Sequence, residues 1–312
     1  MTPASPGLTF VIPVYNGAAF LRASLDEVWR WLVSRHAPAE LLVVDDGSSD
    51  ATPQVLDDFA RWTTGDGRAP GIVFRRLRNA VNRGKGFAVR RAFLHARGRY
   101  VVFTDADLTY PVENVAAVVA RLEQGADVVL ASRMHRDSRY EVAPWFFRKL
   151  YTRHLMGRVF NLLVRALVVP DVRDTQAGLK GFGREAAVAL AERVRLDRFS
   201  FDVELLFVAR RLRLSVVDCP VLFLYRKEPS TVRFAHDSFA MLRDMIRIRI
   251  RGWRGVYEAG PDRVMLADLE HGGRAAPLRP SPPSSDPAGQ IPSSPDGTSD
   301  RAETGQWAGM DR

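Results

Sequence analysis

The chain has a single cysteine, Cys219, only four lysines among its 45 basic residues, and no unbroken apolar run of membrane-spanning length. One cysteine excludes an intramolecular disulfide and a cysteine-built zinc centre, and fits a reducing compartment. Without a run of about 18 apolar residues, no transmembrane helix is expected. Met1 to Gly7 is short and polar, so no secretory signal is read there. No G-x-G-x-x-G follows the first strand, which disfavours a Rossmann dinucleotide site, and Gly86 after Lys85 rules out a Walker loop, which needs Ser or Thr there. There is no internal repeat. No RNA-binding module and no basic stripe with regularly spaced aromatics is found, so no nucleic-acid partner is expected.

What is there describes an ordinary globular protein: 312 residues, 46% hydrophobic and 26% charged, enough for one large or two modest domains. The net charge of +9 is uneven. Residues 259–312 hold eight acidic and five basic residues, a net of −3, which leaves +12 on the first 258. Such a surface favours polyanions, anionic lipid or phosphorylated substrates. The preference for arginine over lysine points as much to codon usage, so individual arginines carry more weight than the total.

Strand and helix patterns alternate through the first 131 residues. Leu8–Val14, Glu40–Val44, Ile72–Leu77, Tyr100–Thr104 and Asp127–Ala131 read as strands; Ala18–Ser34, Thr52–Trp62, Gly86–Arg97 and Val112–Gln124 read as helices. That order predicts an α/β fold with a mainly parallel central sheet flanked by helices. Asp50 is placed to cap the second helix. Two later stretches, Ala143–Val169 and Phe234–Trp253, mix broad apolar faces with arginines and read as amphipathic helices suited to a membrane surface. A core-facing helix with a solvated basic side has the same pattern. From Ala259 the periodicity collapses into Pro- and Ser-rich sequence, so residues 1–258 read as the folded domain and 259–312 as a disordered tail.

Chemistry concentrates at strand ends. Asp105-Ala106-Asp107 follows the fourth strand, where open parallel sheets place ligands, and two carboxylates one residue apart can hold a hard divalent cation that also touches a diphosphate. An acidic turn without function has the same letters. Tyr15-Asn16-Gly17 ends the first strand and Asp45-Asp46-Gly47-Ser48 the second; Asn82-Arg83-Gly84-Lys85-Gly86 opens the third helix, and Asp174-Thr175-Gln176-Ala177-Gly178 comes later. A carboxylate at Asp45 or Asp46 could accept hydrogens from a base, with Tyr15 packed on its face.

In this order the pieces resemble inverting glycosyltransferases of family 2, with the GT-A fold, over roughly Leu8 to Arg226. The likeness is to polyprenyl-phosphate sugar transferases. Asp174-Thr175-Gln176-Ala177-Gly178 and Ser200-Phe201-Asp202-Val203-Glu204-Leu205-Leu206 are more similar to the dolichyl-phosphate glucosyl branch than to the mannosyl one. Thr109 and Gly17 stand where the mannosyl pattern has Gln and Glu, which turns the expectation from GDP-mannose toward UDP-glucose. The resemblance implies Pro13, Tyr15, Asp45, Asp46, Lys85, Asp105 and Ala106 at the nucleotide sugar. It implies Asp105 and Asp107 at Mg²⁺ or Mn²⁺. Arg133, Arg148, Thr152, Gln176, Asp202 and Glu204 would serve a polyprenyl phosphate acceptor, with Asp107, Arg133, Arg148 and Asp174 nearest the chemistry. Such an acceptor is already anionic and needs no strong base, whereas a soluble hydroxyl acceptor would call on Asp174 or Asp202. A processive synthase is disfavoured, since no spans and no Q-x-x-R-W segment occur. A non-catalytic binder of RNA or anionic membrane is the reading from another class. The expected location is peripheral, on the cytoplasmic face of a membrane.

Overall fold

In chain order the strands are β1 (Leu8–Val14), β2 (Ala39–Asp45), β3 (Ile72–Arg78), β4 (Tyr100–Phe103), β5 (Val128–Ser132), β6 (Arg139–Val142), β7 (Lys180–Gly183), β8 (Val216–Pro220) and β9 (Leu222–Tyr225). The helices are α1 (Ala18–Ser34), α2 (Thr52–Thr64), α3 (Lys85–His95), α4 (Asn114–Glu123), α5 (Arg184–Arg193), α6 (Phe201–Arg211), α7 (Phe234–Trp253) and α8 (Arg263–His271). This computed structural model describes residues 6–142, 174–198, 200–225, 234–260 and 262–272, with the single positions 164, 168, 169 and 172. The basic stretch 143–169, with Arg148 and Thr152, therefore lies almost wholly outside the described residues.

Seven strands form one sheet in the order β3-β2-β1-β4-β7-β5-β8. All neighbours run parallel except β7, which is antiparallel to both β4 and β5. β6 and β9 pair in parallel as a separate ribbon. Every residue of β1 and β2 is buried, as expected for central parallel strands covered on both faces. Alternate residues serve two cores. Val11, Leu42, Val44, Val101 and Phe103 meet Ala88 and Phe93 of α3 and Phe201 and Leu205 of α6. Phe10, Ile12, Leu41, Val43 and Val102 meet Leu21, Leu25 and Val28 of α1, Phe59 of α2 and Val115 of α4.

Two buried carboxylates tie distant segments together. Glu40 Oε2 accepts hydrogen bonds from Thr9 Oγ1 at 2.6 Å and Arg97 N at 3.0 Å, and its Oε1 meets Arg75 Nη1 at 2.5 Å, closing the edge of the sheet where β1 and β2 begin. Glu204 has no exposed surface. Its Oε2 accepts from Arg195 N at 2.8 Å and Leu196 N at 2.6 Å; its Oε1 accepts from Tyr257 Oη at 2.6 Å and Arg251 Nη1 at 3.1 Å. This corrects its placement at the acceptor: Glu204 is a core strut that joins α6 and the α7 region to the loop at 194–197.

The fold also continues beyond residue 258. Asp262 accepts from Val264 N and Met265 N and caps α8, which ends at Gly272 with φ +78°. Asp50 acts next to, rather than at, the cap of α2: Oδ1 accepts from Thr52 N and Oδ2 from Ala18 N, so one carboxylate serves the first turns of two helices.

Glu204→Ala strands two backbone N–H groups, a phenol and a guanidinium in the core. The expected cost is about 3–5 kcal/mol, read as a lower urea midpoint. A loss under about 1 kcal/mol would mean that water substitutes for the carboxylate.

Candidate active site

Parallel strands β1, β2, β4 and β5 end on one edge of the sheet. Because β7 is reversed, it begins on that same edge, and the segment 174–179 is delivered beside the acidic turn after β4. Ion pairs then link the groups gathered there. Lys85 Nζ, at the start of α3, lies 2.6 Å from Asp105 Oδ1. Lys180 Nζ lies 2.5 Å from Asp202 Oδ1 and donates to Ala177 O at 2.6 Å. The ring of Phe103 has Lys85 on it at 5.4 Å and Lys180 at 5.5 Å. Arg133, just after β5, is gripped by Asp174 through three hydrogen bonds: Arg133 N at 2.9 Å and Nε at 2.8 Å to Oδ2, and Nη2 at 2.8 Å to Oδ1.

These neighbours set the protonation states. Burial alone would lower the Lys85 ammonium, but Asp105, with Asp202 and Asp107 beyond, raises it above its ordinary value. Lys180 goes the other way, because burial outweighs Asp202. Burial would raise the Asp174 carboxyl, yet the Arg133 guanidinium holds it below the ordinary carboxylate range. Burial keeps the Tyr110 phenol protonated.

The acidic turn is tightly built. Leu108 is fully buried at φ +48°, a left-handed conformation uncommon for leucine, and Asp107 Oδ1 accepts from Thr109 N at 3.2 Å. Gly178 lies against it, and a Cβ there would overlap Asp105 Oδ2 and push that carboxylate aside. Among the described residues no three Asp, Glu, His or Cys side chains gather as a metal cage. Two carboxylates nonetheless suit Mg²⁺ or Mn²⁺ where the substrate's phosphates and water complete the shell, so Asp107 and Asp105 fit the cation, with Lys85 a rival for Asp105.

At the end of β2 two neighbouring acids divide the work. Asp45 Oδ1 accepts from Ser48 N at 2.9 Å; Oδ2 is buried 3.4 Å from Arg78 Nε and makes no hydrogen bond. Asp46 spends both oxygens on the loop before α3, accepting from Asn79 Nδ2 at 2.6 Å, Arg83 N at 3.1 Å and Gly84 N at 2.7 Å. Asp46 is thus a loop anchor rather than a free acceptor, and Asp45 is the one with an open oxygen. Burial raises the Asp46 carboxyl against those hydrogen bonds. Gly84 sits at φ +109° with Asp197 O where a Cβ would go. Arg83 reaches outward to Asp268 of α8 at 2.9 Å and Asp197 at 3.4 Å, and Ala80 N donates to Gly272 O at 3.1 Å. Helix α8, which the sequence reading assigns to the tail, therefore braces the loop that carries Lys85.

Tyr15 is half-exposed and free to pack on a base; Pro13 is buried in β1 where its pairing with β4 has already ended, so its missing N–H costs no ladder bond there. Ala106 is buried in the second core and Gln176 is exposed. Asp202 lies in the first turn of α6, committed to Lys180. Sequence reasoning missed Lys180, Phe103, Tyr110 and Phe223. The last two rings pack edge to face at 4.9 Å, and the Arg133 guanidinium lies 5.5 Å from Phe223.

The family model for glycosyl transferase family 2 matches residues 9–186, more than half of the chain. The chain belongs to that family. This glycosyltransferase is 30% identical over 273 residues to the human dolichyl-phosphate beta-glucosyltransferase, covering 83% of the chain and 79% of the relative. It is 28% identical over 260 residues to the Dictyostelium discoideum protein of the same name, covering 80% and 76%. Among solved structures, mannosyl-3-phosphoglycerate synthase from Rubrobacter xylanophilus aligns with a TM-score of 0.54 at 20% identity, covering 80% of this chain and 74% of that one. Glucosyl-3-phosphoglycerate synthase from Mycobacterium tuberculosis gives 0.52 at 22%, covering 78% and 79%. The expected GT-A architecture is therefore the one found.

The Arg133–Asp174 pair gives this glycosyltransferase a pH signature. A depressed carboxyl contributes stability that is complete above the ordinary carboxylate range and lost as pH falls through the depressed value. Asp174→Asn should flatten the stability–pH curve below about pH 4, measured by thermal denaturation in a pH series. An unchanged acid limb would mean that the pair contributes no stability.

Proposed function

We propose that this glycosyltransferase moves glucose from UDP-glucose to a polyprenyl phosphate, giving a β-linked lipid phosphate sugar. The observation that carries this reading is that the carboxylates suited to act as a base are committed to cations. Asp174 is bound by Arg133 and Asp202 by Lys180, while Glu204 is spent in the core. A sugar hydroxyl as acceptor needs a base; a phosphate monoester does not. The names of the human and Dictyostelium relatives point the same way.

In this reading the donor base lies against Tyr15 with Asp45 Oδ2 as acceptor, and Lys85 faces the diphosphate. Arg133, joined by Arg148 and Thr152, holds the acceptor phosphate, and Asp174 fixes the plane of the Arg133 guanidinium. A phosphate oxygen of the acceptor attacks the anomeric carbon and its lone pair forms the new C–O bond. The bond from that carbon to the donor's diphosphate breaks, its electrons leaving on the nucleoside diphosphate. Attack opposite the leaving group inverts the centre, and no proton needs to move. Asp107 with Asp105 would hold Mg²⁺ or Mn²⁺, which when bound offsets charge on the departing diphosphate.

The acceptor's lipid calls for a membrane surface, and α7 offers one. Its inner face buries Met245 and Ile248, while Leu242, Ile246, Ile250 and Trp253 stand exposed on one outer face, Trp253 at 75%. Arg243, Arg247, Arg249 and Arg254 are exposed beside them, with Arg249 5.4 Å from the Trp253 ring. No helix among the described residues is long and apolar enough to cross a membrane. An interfacial helix on the cytoplasmic leaflet suits this pattern.

Purified protein with UDP-[¹⁴C]glucose, undecaprenyl phosphate and Mg²⁺ should move label into the organic phase. EDTA and Asp107→Ala should each reduce transfer by at least about 100-fold. Label appearing only on a soluble sugar acceptor would overturn the phosphate reading; label from GDP-mannose alone would overturn the donor.

For the surface, the double variant Ile246→Glu/Trp253→Glu should lose flotation with phosphatidylglycerol vesicles while keeping its thermal midpoint. Flotation equal to the unaltered protein's would exclude α7 as the contact.

A further inference from the structure

Tyr110 is an unusual residue to find where it is. Its side chain is 2% exposed, and its hydroxyl oxygen is buried without a hydrogen-bond partner. The Gly178 backbone N–H acts on that oxygen, and an amide N–H can only donate. The hydroxyl's own hydrogen therefore has no acceptor among the described residues. A buried unsatisfied polar group costs about 1–3 kcal/mol, so phenylalanine would serve the fold better. The ring is already fixed without the hydroxyl, edge to face on Phe223. The structure thus keeps an oxygen that the packing does not use.

The surroundings show what could use it. The groups that act electrostatically on the hydroxyl are Arg133, Asp174 and Asp105, which are the cation of the acceptor side, its carboxylate clamp and the first acid of the acidic turn. The ring also borders Gly178, the residue on which Asp105 rests. Tyr110 accordingly stands between the group assigned to one phosphate and the groups assigned to the other. The carboxylates nearby are not within hydrogen-bond reach of it, and both are already paired, Asp174 to Arg133 and Asp105 to Lys85. No described residue accepts its hydrogen, whereas a bound phosphate would.

We propose that the Tyr110 hydroxyl is a substrate-binding group that donates a hydrogen bond to a phosphate oxygen in the gap between Arg133 and Asp105. The inference rests on reading this edge as the meeting place of two phosphate-bearing substrates. The oxygen belongs either to the donor's diphosphate or to the acceptor's monoester, and the experiment separates them. A neutral donor suits this spot. It adds a directed bond to an anion without adding a fourth cation to a site already holding Lys85, Lys180 and Arg133.

Tyr110→Phe removes one oxygen atom and leaves the ring. Calorimetric titration of both proteins with UDP, and with a short-chain soluble prenyl phosphate, gives two dissociation constants each, independent of turnover. Tenfold or greater weakening for one probe, with a thermal midpoint equal to or above the unaltered protein's, is the expected result. Weakening for UDP assigns the contact to the donor; weakening for the prenyl phosphate assigns it to the acceptor. Both constants within twofold would overturn the proposal, even if kcat fell, since that pattern belongs to a sugar hydroxyl. A lowered midpoint together with weaker binding of both probes would also overturn it, by making Tyr110 a structural residue. If the unaltered protein binds UDP yet transfers nothing to polyprenyl phosphate, the function proposed above fails, while the UDP constants still judge Tyr110.

Discussion

A strand inserted backwards into a parallel sheet begins where its neighbours end. Here β7 lies between β4 and β5 with its Lys180 opposite Phe103, so the chain entering β7 arrives at the edge where β4 releases Asp105 and β5 releases Arg133. Were β7 parallel, Asp174 and Gly178 would lie at the far end of the sheet. Arg133 would then lack its clamp and Asp105 the bare backbone on which it rests. The same reversal places a lysine, rather than an apolar residue, at the centre of the sheet. Lys180 is wholly buried, and Asp202 from α6 is the carboxylate beside it. Removing one partner of such a pair leaves a buried charge, which is far costlier than the pair is stabilising. The docking of α6 against the sheet and the charge state of the site are thereby one problem with one solution.

The site handles anions by pre-pairing. Three cations at this edge are each held by a carboxylate, Lys85 by Asp105, Lys180 by Asp202 and Arg133 by Asp174. In the proposed reaction an incoming diphosphate would not meet bare lysines; it would compete with Asp105 for Lys85, and Asp107 would take its counter-ion. That arrangement lowers the reorganisation needed when charge moves from acceptor to leaving group, since the dipoles and charges are oriented beforehand. Tyr110 stands outside this scheme because its hydroxyl is oriented by no partner. Among the described residues its hydroxyl is one of the buried groups at this edge left to be filled, with Asp45 Oδ2, Thr104 Oγ1 and Ser132 Oγ.

Much of this was readable from sequence. The near-continuous apolar runs in Leu8–Val14 and Ala39–Asp45 and the 3.6-residue period of α1 give element limits within a residue or two, because strands buried on both faces and amphipathic helices leave recognisable patterns. The acids at strand ends were visible because a sheet edge is where polar residues interrupt apolar runs. What failed was the division of labour among acids. Asp45 and Asp46 are adjacent and chemically alike, and only the path of the loop at residues 79–84 decides that Asp46 is used up. Glu204 has donors at residues 195, 196, 251 and 257, separations that no local pattern reveals. Helix α8 did carry a local signal, Asp262 at its start and Gly272 at its end, but nine residues before a Pro- and Ser-rich segment were read with that segment. Tyr110 carried none: its significance is a buried oxygen without a partner, a property of packing alone.

The strut at Glu204 and the brace at α8 converge on one loop. Glu204 holds the backbone at Arg195 and Leu196, and Phe87 N donates to Asp197 O at 3.2 Å two positions beyond Arg195. Asp197 also pairs with Arg83 and with the buried Arg90. On its other side Glu204 binds Arg251 and Tyr257, at and after the end of α7. Helix α7, the segment proposed to meet the membrane, and the segment carrying Lys85 are therefore separated by one carboxylate and one short loop. In the proposed reaction a lipid-borne acceptor would be anchored at the surface that α7 meets, while the nucleotide sugar would come from solution. Fixing α7 and the Lys85 loop to a common strut would set the distance between those two substrates by covalent geometry and buried hydrogen bonds. Chance encounter across a flexible joint would leave that distance unset, and in-line displacement tolerates little error in it.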